Sequence, residues 1–248
     1  MITYPLVKNP LISVVIPAFN EEKYLPACLD AIQKQSFRDF ELIVVDNNST
    51  DKTASIAKHF GAKVVRERKQ GMIPARERGF HEAQAEIIAR TDADTIVLPN
   101  WLKIIYSTFQ KNPKVVAMTG AWLSPTRKIP HKVLSEYTYL ISVKLGELLS
   151  GHVYLLGPNM ALRKSAWEKI KVNTNDKQVH EDIDLSCHMA KVGKIIYNKN
   201  LKVIFSLRRV TENPTKGLSR YIGEYPVRYI KTLYYNKSGI FSKVNFKH

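Results

Sequence analysis

Ile87-Ile88-Ala89-Arg90-Thr91-Asp92-Ala93-Asp94-Thr95-Ile96-Val97-Leu98-Pro99 is the stretch that decides how this chain is read. Two carboxylates one residue apart follow one apolar run and precede another, which puts Asp92 and Asp94 at the carboxyl end of a strand. In an open α/β sheet the ligand crevice lies outside those ends, and hard oxygens held there suit a divalent cation that also takes phosphate oxygens. The pair reads as a metal–diphosphate site. A plain turn is the competing reading, since Asp favours turns and one Asp-x-Asp is expected by chance in a chain of this size.

Outward from that stretch, the first half alternates strand and helix. Leu11 to Pro17 reads as a buried strand, Glu21 to Gln35 as a helix with Tyr24, Leu25, Cys28, Leu29 and Ile32 on one face, and Glu41 to Asp46 as a second strand. The next helix starts near Ser49 or Thr50, either of which can cap it, and ends at Gly61, before a strand over residues 62–65. A helix from Pro74 to Gln84 leads into a strand over 86–91. Such alternation implies an α/β fold, a doubly wound and mostly parallel sheet with helices on both faces.

Beyond Asp94 the rhythm loosens. Pro99 to Gln110 reads as a helix, Val115 to Thr119 as a strand, and Ala121 to Pro130 as irregular. His131 to Ser150 has helical spacing and a wide apolar face (Leu134, Tyr137, Leu140, Ile141, Leu145, Leu148), expected to pack on the sheet, with contact to a lipid acceptor as the alternative. Residues 208–248 combine Lys and Arg with Tyr221, Tyr225, Tyr229, Tyr234, Tyr235, Phe241 and Phe246, and read as a basic, amphipathic extension.

The 248 residues, 44% hydrophobic, suffice for a full core. Lys and Arg number 38 against 22 Asp and Glu, a net charge of +16, so the expected partners are polyanionic: nucleic acid, an anionic membrane or phosphorylated substrates. Cys28 and Cys187 lie far apart inside apolar patterns, which leaves no zinc or redox motif and points to a reducing cytosol. No secretory signal is recognisable over Met1 to Pro10, and the nearest spanning candidate, Val133 to Leu156, is broken by Glu136, Lys144, Glu147 and His152.

Further polar signals fall where a nucleotide–diphosphate site needs them. The first strand ends in Pro17-Ala18-Phe19-Asn20-Glu21 and the second in Asp46-Asn47-Asn48-Ser49-Thr50-Asp51. A carboxylate there can accept from a base edge such as the uracil N3–H, and Asn20 or Asp51 can serve the ribose or support the groups that do. Helix capping is the alternative for Asp46 to Asp51. Farther along, Gly157-Pro158-Asn159 permits close backbone approach, and His180-Glu181-Asp182 supplies carboxylates at a helix start. Asp182, partly desolvated, fits a general base that takes a proton from an acceptor hydroxyl; complementing the helix dipole is the simpler alternative.

The order of these motifs resembles glycosyltransferase family 2, the inverting nucleotide-sugar transferases of the GT-A fold. The resemblance runs through Val14 to Glu21, Val44 to Thr53, Gly71 to Gly79, Asp92-Ala93-Asp94, Gly157 to Arg163 and Glu181 to Leu185, and covers roughly residues 11 to 205. It implies a GT-A domain over 1–207, with a nucleotide-sugar half at 1–98 and an acceptor half at 99–207, followed by a helical extension over 208–248. It also implies Pro17, Glu21 and Asp46 around the base and ribose, with Asp92 touching ribose or metal; Ala18, Asn20, Asn48, Asp51, Arg76, Ala93, Asn159 and Glu181 are further candidate substrate-binding residues. Asp94 would hold Mn²⁺ or Mg²⁺, and Asp182 would be the catalytic base. Glu77 stands where the family usually has Asn. The Gln-x-x-Arg-Trp element of processive members is missing, its nearest counterpart being Gly217 to Tyr221, so polymer synthesis without release is not expected. Ser206-Leu207-Arg208-Arg209 resembles a Ser-x-Arg-Arg segment of some members, in which Arg208 or Arg209 neutralises a phosphate, because the Arg fork suits phosphate oxygens; a solvated basic loop is the alternative.

The resulting expectation is metal-dependent transfer of one sugar from a nucleotide-diphosphate donor, UDP favoured over GDP from the resemblance alone, to a saccharide or lipid-linked acceptor. The anionic inner membrane face is expected as a further partner, which makes the protein cytoplasmic and peripheral. A nucleic-acid-binding module would account for the charge and the tyrosines, but gives no reason for Asp46, Asp92, Asp94 and Asp182 to gather at strand ends, and nucleic acid is not expected as a partner. A nucleotidylyltransferase needs a glycine-rich loop after the first strand, and Pro17 to Glu21 contains no glycine.

Overall fold

In the computed structural model, residues 8–126, 130–174, 179–219 and 223–236 are described. Eight strands form one sheet: β1 (Ile12–Ala18), β2 (Phe40–Asp46), β3 (Lys63–Arg66), β4 (Ile87–Arg90), β5 (Ile96–Val97), β6 (Val115–Leu123), β7 (Met160–Arg163) and β8 (Lys194–Ile204). Their order across the sheet is β3-β2-β1-β4-β7-β6-β8-β5. β3, β2, β1 and β4 pair in parallel, as do β6 and β8; β7 runs antiparallel between β4 and β6, and β5 runs antiparallel along the end of β8.

The helices are α1 (Leu25–Gln33), α2 (Thr53–His59), α3 (Met72–Glu82), α4 (Trp101–Lys111), α5 (His131–Tyr139), α6 (Leu145–Ser150), α7 (Lys164–Trp167), α8 (Glu181–Ala190), α9 (Arg208–Thr211), α10 (Pro214–Ser219) and α11 (Tyr225–Tyr235). A π-helical turn, Leu140–Lys144, joins α5 to α6. One face of the sheet packs Val14, Ile16 and Val44 against Leu29, Ile32, Trp101 and Phe109 of α1 and α4. The other packs Val15, Val45 and Ile88 against Phe80 of α3, Trp167 of α7 and Leu185 of α8. β1 is buried along its whole length, which is why it reads as a continuous apolar run rather than an alternating one. Gly79 lets α3 lie on the sheet, since a Cβ there would sit 2.3 Å from Val15 Cγ1.

Several sequence expectations need correction. The helix after β2 starts at Thr53, and neither Ser49 nor Thr50 caps it; Asp51 accepts the Thr53 N–H at 2.9 Å. Gly61 does take the left-handed conformation, φ 78°, just past that helix. Ala121 to Leu123 continue β6, held by β8 and by the stack of Trp122 on Phe205 (centroids 4.1 Å apart), which no local pattern announces. Residues 131–150 are helical and α5 does pack against β6, but only part of the apolar face turns inward: Leu134, Ile141 and Leu145 are half-buried, whereas Tyr137, Leu140 and Leu148 are exposed.

Candidate active site

The carboxyl ends of β1, β2 and β4 open on one crevice, and the two loops that leave β1 and β2 are laced together. Asn20, in the left-handed region at φ 53°, donates its N–H to Ser49 Oγ (3.0 Å) and accepts the Thr50 N–H on Oδ1 (2.8 Å). Glu21 N–H reaches Thr53 Oγ1 (2.7 Å), and Asp51 accepts from Glu22 and Thr53 N–H. Burial works against the Asp51 charge, but the Thr53 and Glu22 hydrogen bonds outweigh it and hold this carboxyl below its usual range. Asn20 and Asp51 thus shape the crevice rim through the backbone. Asp46, at the end of β2 and buried, accepts the Ser49 N–H at 3.1 Å. Asn48, also left-handed at φ 67°, turns its amide to Arg68 O (2.6 Å) and away from the crevice. Pro17 and Ala18 are buried inside β1.

Past the end of β4 the chain turns, with the Thr95 N–H on the Asp92 carbonyl at 3.1 Å, so the turn that an Asp-x-Asp can signal is present here. Ala93 is buried in the core, while Asp92 and Asp94 are partly exposed in the crevice. Asp94 Oδ2 accepts from Arg208 Nε at 2.6 Å, and the Nη2 of the same guanidinium meets Glu21 Oε1. Arg208 also stacks over the Tyr24 ring, 4.5 Å from its centroid. Glu21, Asp92 and Asp94 are close enough to Cys28 that they add to the effect of burial in pushing its thiol pKa up. The side chain of Arg209 lies outside the described residues, as do Tyr221, Phe241 and Phe246.

The residue that organises the site was not singled out in the sequence. Arg90, 1% exposed, is the last residue of β4, and its guanidinium donates to Asp182 Oδ1 (2.8 Å) and to Asp92 Oδ1 (3.1 Å). Burial disfavours the Arg90 cation, but Asp182 and Asp92 outweigh that and raise its pKa further. The signal was a charged residue inside an apolar strand next to the Asp pair, and a cation has to be paired when it is buried. Asp182 Oδ2 accepts the Gly157 N–H at 2.8 Å. Gly157 has to be glycine here: a Cβ would lie 2.7 Å from Arg90 Nη1 and 2.8 Å from Asp182 Oδ2. Burial pushes Asp182 toward its neutral form, yet Arg90, His180 and the Gly157 N–H overcome it and hold the carboxyl below its usual range.

Arg76, fully buried in α3, donates Nη1 to the Glu181 carbonyl (2.9 Å) and Nε to Glu77 Oε1 (2.9 Å). Glu77 also accepts from Trp167 Nε1 at 3.1 Å, so the acid at this position neutralises a buried cation under the start of α8. The Glu181 side chain stays partly exposed beside Asp182. Helix α11 braces the same region: Thr232 Oγ1 accepts the His180 N–H (2.7 Å), and Asn236 Nδ2 donates to Asp184 Oδ1 (2.8 Å).

Asn159 does not reach the crevice. It is fully buried, with Oδ1 on Trp101 Nε1 (2.8 Å) and Nδ2 on the carbonyls of Ala121 (3.1 Å) and Leu201 (2.9 Å). Those carbonyls flank the register break between β6 and β8 at Gly120/Ala121, and an amide that both donates and accepts supplies partners there.

Two hollows differ in their relation to the carboxylates. One of about 270 Å³ is bordered by Tyr24, Asp94, Pro125, Phe205 and Arg208. A larger cleft, about 1000 Å³, lies along β8 between α4 and α5. Its one acid, Glu136, is ion-paired with Lys132, so the smaller hollow, beside Asp94 and Arg208, is the one next to the chemistry. Among the described residues no three His, Cys, Asp or Glu form a cluster able to hold a metal ion. Asp94, with Glu21 or Asp92, could supply oxygen ligands to a divalent cation only if a diphosphate and water completed the set, the usual arrangement for Mg²⁺.

Comparison with known proteins places the chain by family and by fold. The chain is 36% identical over 109 residues to glycosyltransferase GlyG of Streptococcus pneumoniae serotype 4 (strain ATCC BAA-334 / TIGR4), a match covering 42% of this chain and 36% of the relative. The match thus spans about a third of that protein. The fold is shared with the mannosyltransferase PcManGT of Pyrobaculum calidifontis in complex with GDP-Man and Mn²⁺ (TM-score 0.63, 20% identity, 92% of this chain and 69% of that one). It is shared also with glucosyl-3-phosphoglycerate synthase of Mycobacterium tuberculosis in complex with Mn²⁺, UDP and glucosyl-3-phosphoglycerate (TM-score 0.65, 20% identity, 92% and 80%). The model of the family described as "Glycosyl transferase family 2" matches residues 13–171, and because that is more than half of the 248 residues, the chain belongs to glycosyl transferase family 2.

Proposed function

We propose that this chain transfers a single sugar, with inversion, from a nucleotide-diphosphate sugar to an acceptor hydroxyl on a saccharide or a lipid-linked saccharide, with UDP-sugar favoured as donor. The observation that carries the reading is the Asp92–Arg90–Asp182 chain of ion pairs, which couples the carboxylates at the end of β4 to the carboxylate at the start of α8. One end suits a metal-bound diphosphate and the other an acceptor hydroxyl. The fold neighbours complexed with GDP-Man and Mn²⁺, or with UDP and Mn²⁺, support this class of donor.

In this mechanism the acceptor oxygen attacks the anomeric carbon as the bond to the β-phosphate oxygen breaks, and the nucleoside diphosphate departs. The acceptor proton passes to Asp182, which Arg90 keeps ionised. A divalent cation bound at Asp94 would neutralise the leaving diphosphate. Asp46 accepts from the base edge, and Asp92 from the ribose. Residues 1–98 form the nucleotide half and 99–207 the acceptor half. A second reading makes Glu181 the base, because both Asp182 oxygens are already engaged while the Glu181 side chain is partly exposed.

Calorimetric titration of UDP and GDP, each with and without Mn²⁺, tests the donor site. One nucleotide should bind in a metal-dependent way, and Asp94→Asn should lose that dependence. If neither nucleotide binds, or if Asp94→Asn binds like the parent, the donor site is not here.

Arg208 adds a further expectation. Its guanidinium holds Glu21 and Asp94, the oxygens a cation would take, and so stands where positive charge belongs when no diphosphate is bound. Arg208→Ala should bind Mn²⁺ alone more tightly and Mn²⁺–nucleotide more weakly, roughly tenfold, about the value of one charge-assisted contact to phosphate. Titration of free Mn²⁺ by electron paramagnetic resonance reads the first effect; unchanged affinity in both titrations would leave Arg208 with a structural role alone.

A further inference from the structure

The helical segment from α5 through the π-helical turn to α6 carries apolar side chains on two sides. Val143 is buried and Leu134, Ile141 and Leu145 are half-buried on the inner side, where Thr138, Ser142 and Gly146 let the backbone come close. Ser142 Oγ donates to Tyr154 O (2.5 Å), and a Cβ on Gly146 would sit 2.5 Å from His152 O. The outward positions Val133, Tyr137, Leu140 and Leu148 recur at helical spacing, with Leu140 51% and Leu148 72% exposed. A soluble helix places its large apolar side chains on the core side.

A second stripe lies on the neighbouring helix. Leu149 of α6 and Tyr229 and Leu233 of α11 share one small core with Tyr154 and Ile183, so both helices pack on the same buried tyrosine. Away from that core α11 exposes Val227, Ile230 (56%) and Tyr234, again three and four residues apart. Large apolar residues exposed on adjacent helices mark an interaction surface.

Charge selects the partner. Lys132 and Lys144 on the first stripe are balanced by Glu136 and Glu147, but residues 208–248, which include α11, carry nine Lys and Arg against two Glu. Exposed apolar stripes on a chain of net charge +16, with Tyr137, Tyr234 and Tyr235 exposed among them, fit the boundary between headgroups and acyl chains of an anionic bilayer. No helix among the described residues is long and apolar enough to cross a membrane. We propose that the outward faces of α5–α6 and α11 form one interfacial plane that seats the protein on an anionic lipid surface. This contact does not depend on the transfer reaction, although it would bring a lipid-linked acceptor to the enzyme.

The test is flotation of the full chain with vesicles of phosphatidylcholine and phosphatidylglycerol, compared with phosphatidylcholine alone, at low and high salt. Parent protein should float with the anionic vesicles, and high salt should weaken the association without abolishing it. Leu140→Ser with Leu148→Ser, and separately Ile230→Ser, should lower the partition coefficient about tenfold or more, as expected for apolar side chains withdrawn from the interface. Circular dichroism and nucleotide titration on the same variants show that fold and donor site are intact, so loss of vesicle binding and loss of donor binding are told apart. Equal partitioning of parent and variants would overturn the proposal, as would binding that vanishes with salt alone. So would loss of binding only when residues 237–248 are deleted. Sedimentation equilibrium showing a dimer that the serine variants dissociate, with no vesicle binding, would assign the stripes to a second copy of the chain and overturn it too.

Discussion

Asp182→Asn is expected to lower turnover by roughly 10²- to 10⁴-fold while leaving nucleotide affinity nearly unchanged. The amide keeps the shape and can still hold the Gly157 N–H, but it cannot take a proton. Steady-state transfer with a matched donor and acceptor reads the loss, and calorimetry on the same protein reads the retained affinity. Glu181→Gln is the companion variant. If it loses turnover on that scale while Asp182→Asn works nearly normally, the base is Glu181. The pH dependence gives an independent check. Arg90 holds Asp182 below its usual range, so this group stays ionised wherever an ordinary carboxyl group does. The acid limb of kcat/KM should therefore fall below the ordinary carboxylate range, and a limb near neutrality would assign the proton to another group. Stability follows the same sign: the Asp182 carboxylate stabilises the fold above its unfolded-state pKa, and that contribution is lost as pH falls through the lower folded-state value.

Arg90→Met should have the largest effect on stability. Arg90 is 1% exposed, and its removal leaves Asp182 and Asp92 facing each other without the cation between them. Breaking a buried pair by removing one partner costs about 3–5 kcal/mol, because the remaining charge stays buried. For a chain of this size that corresponds to a fall in Tm of roughly 10 °C, measured by thermal unfolding. The double variant Arg90→Met with Asp182→Asn should recover part of the loss, since the orphaned carboxylate is gone. Additive losses in the double-mutant cycle would mean that the pair is not energetically coupled, and the network would lose its place in the account.

Much of the fold was legible because burial on both faces writes the parallel strands as continuous apolar runs. β1, β2 and β4 could be read from Leu11 to Pro17, Glu41 to Asp46 and the approach to Asp92. The antiparallel strand β7 could not: Met160 to Arg163 is too short to carry a period, and its place between β4 and β6 is set by pairing across the sheet. The extension of β6 to Leu123 depends likewise on β8 and on the Trp122–Phe205 stack. Residues 131–150 were legible in part: α5 packs on β6 as expected, while Tyr137, Leu140 and Leu148 of the same face stay exposed. Hydrophobic periodicity reports that a helix has an apolar face, and says nothing of what that face meets.

Of the site, the chain order alone brought out the carboxylates at strand ends, Asp46, Asp92 and Asp94, and the acids that open α8. Their types, positions and spacing are one-dimensional facts, and the chemistry of oxygen ligands and proton acceptors follows from them. Which atoms meet was decided by the tertiary structure. Arg90 and Asp182 are ninety-two positions apart and become partners only when β4 and α8 pack with Gly157 between them. Asn159 is drawn into the sheet because a register break leaves carbonyls that its amide satisfies, and Arg208 reaches Asp94 only because α9 folds back over the crevice. The physical reason is the same in each case. A sequence specifies what each residue can do, whereas burial decides which charges and polar groups have to be paired, and burial exists only once distant segments share a core.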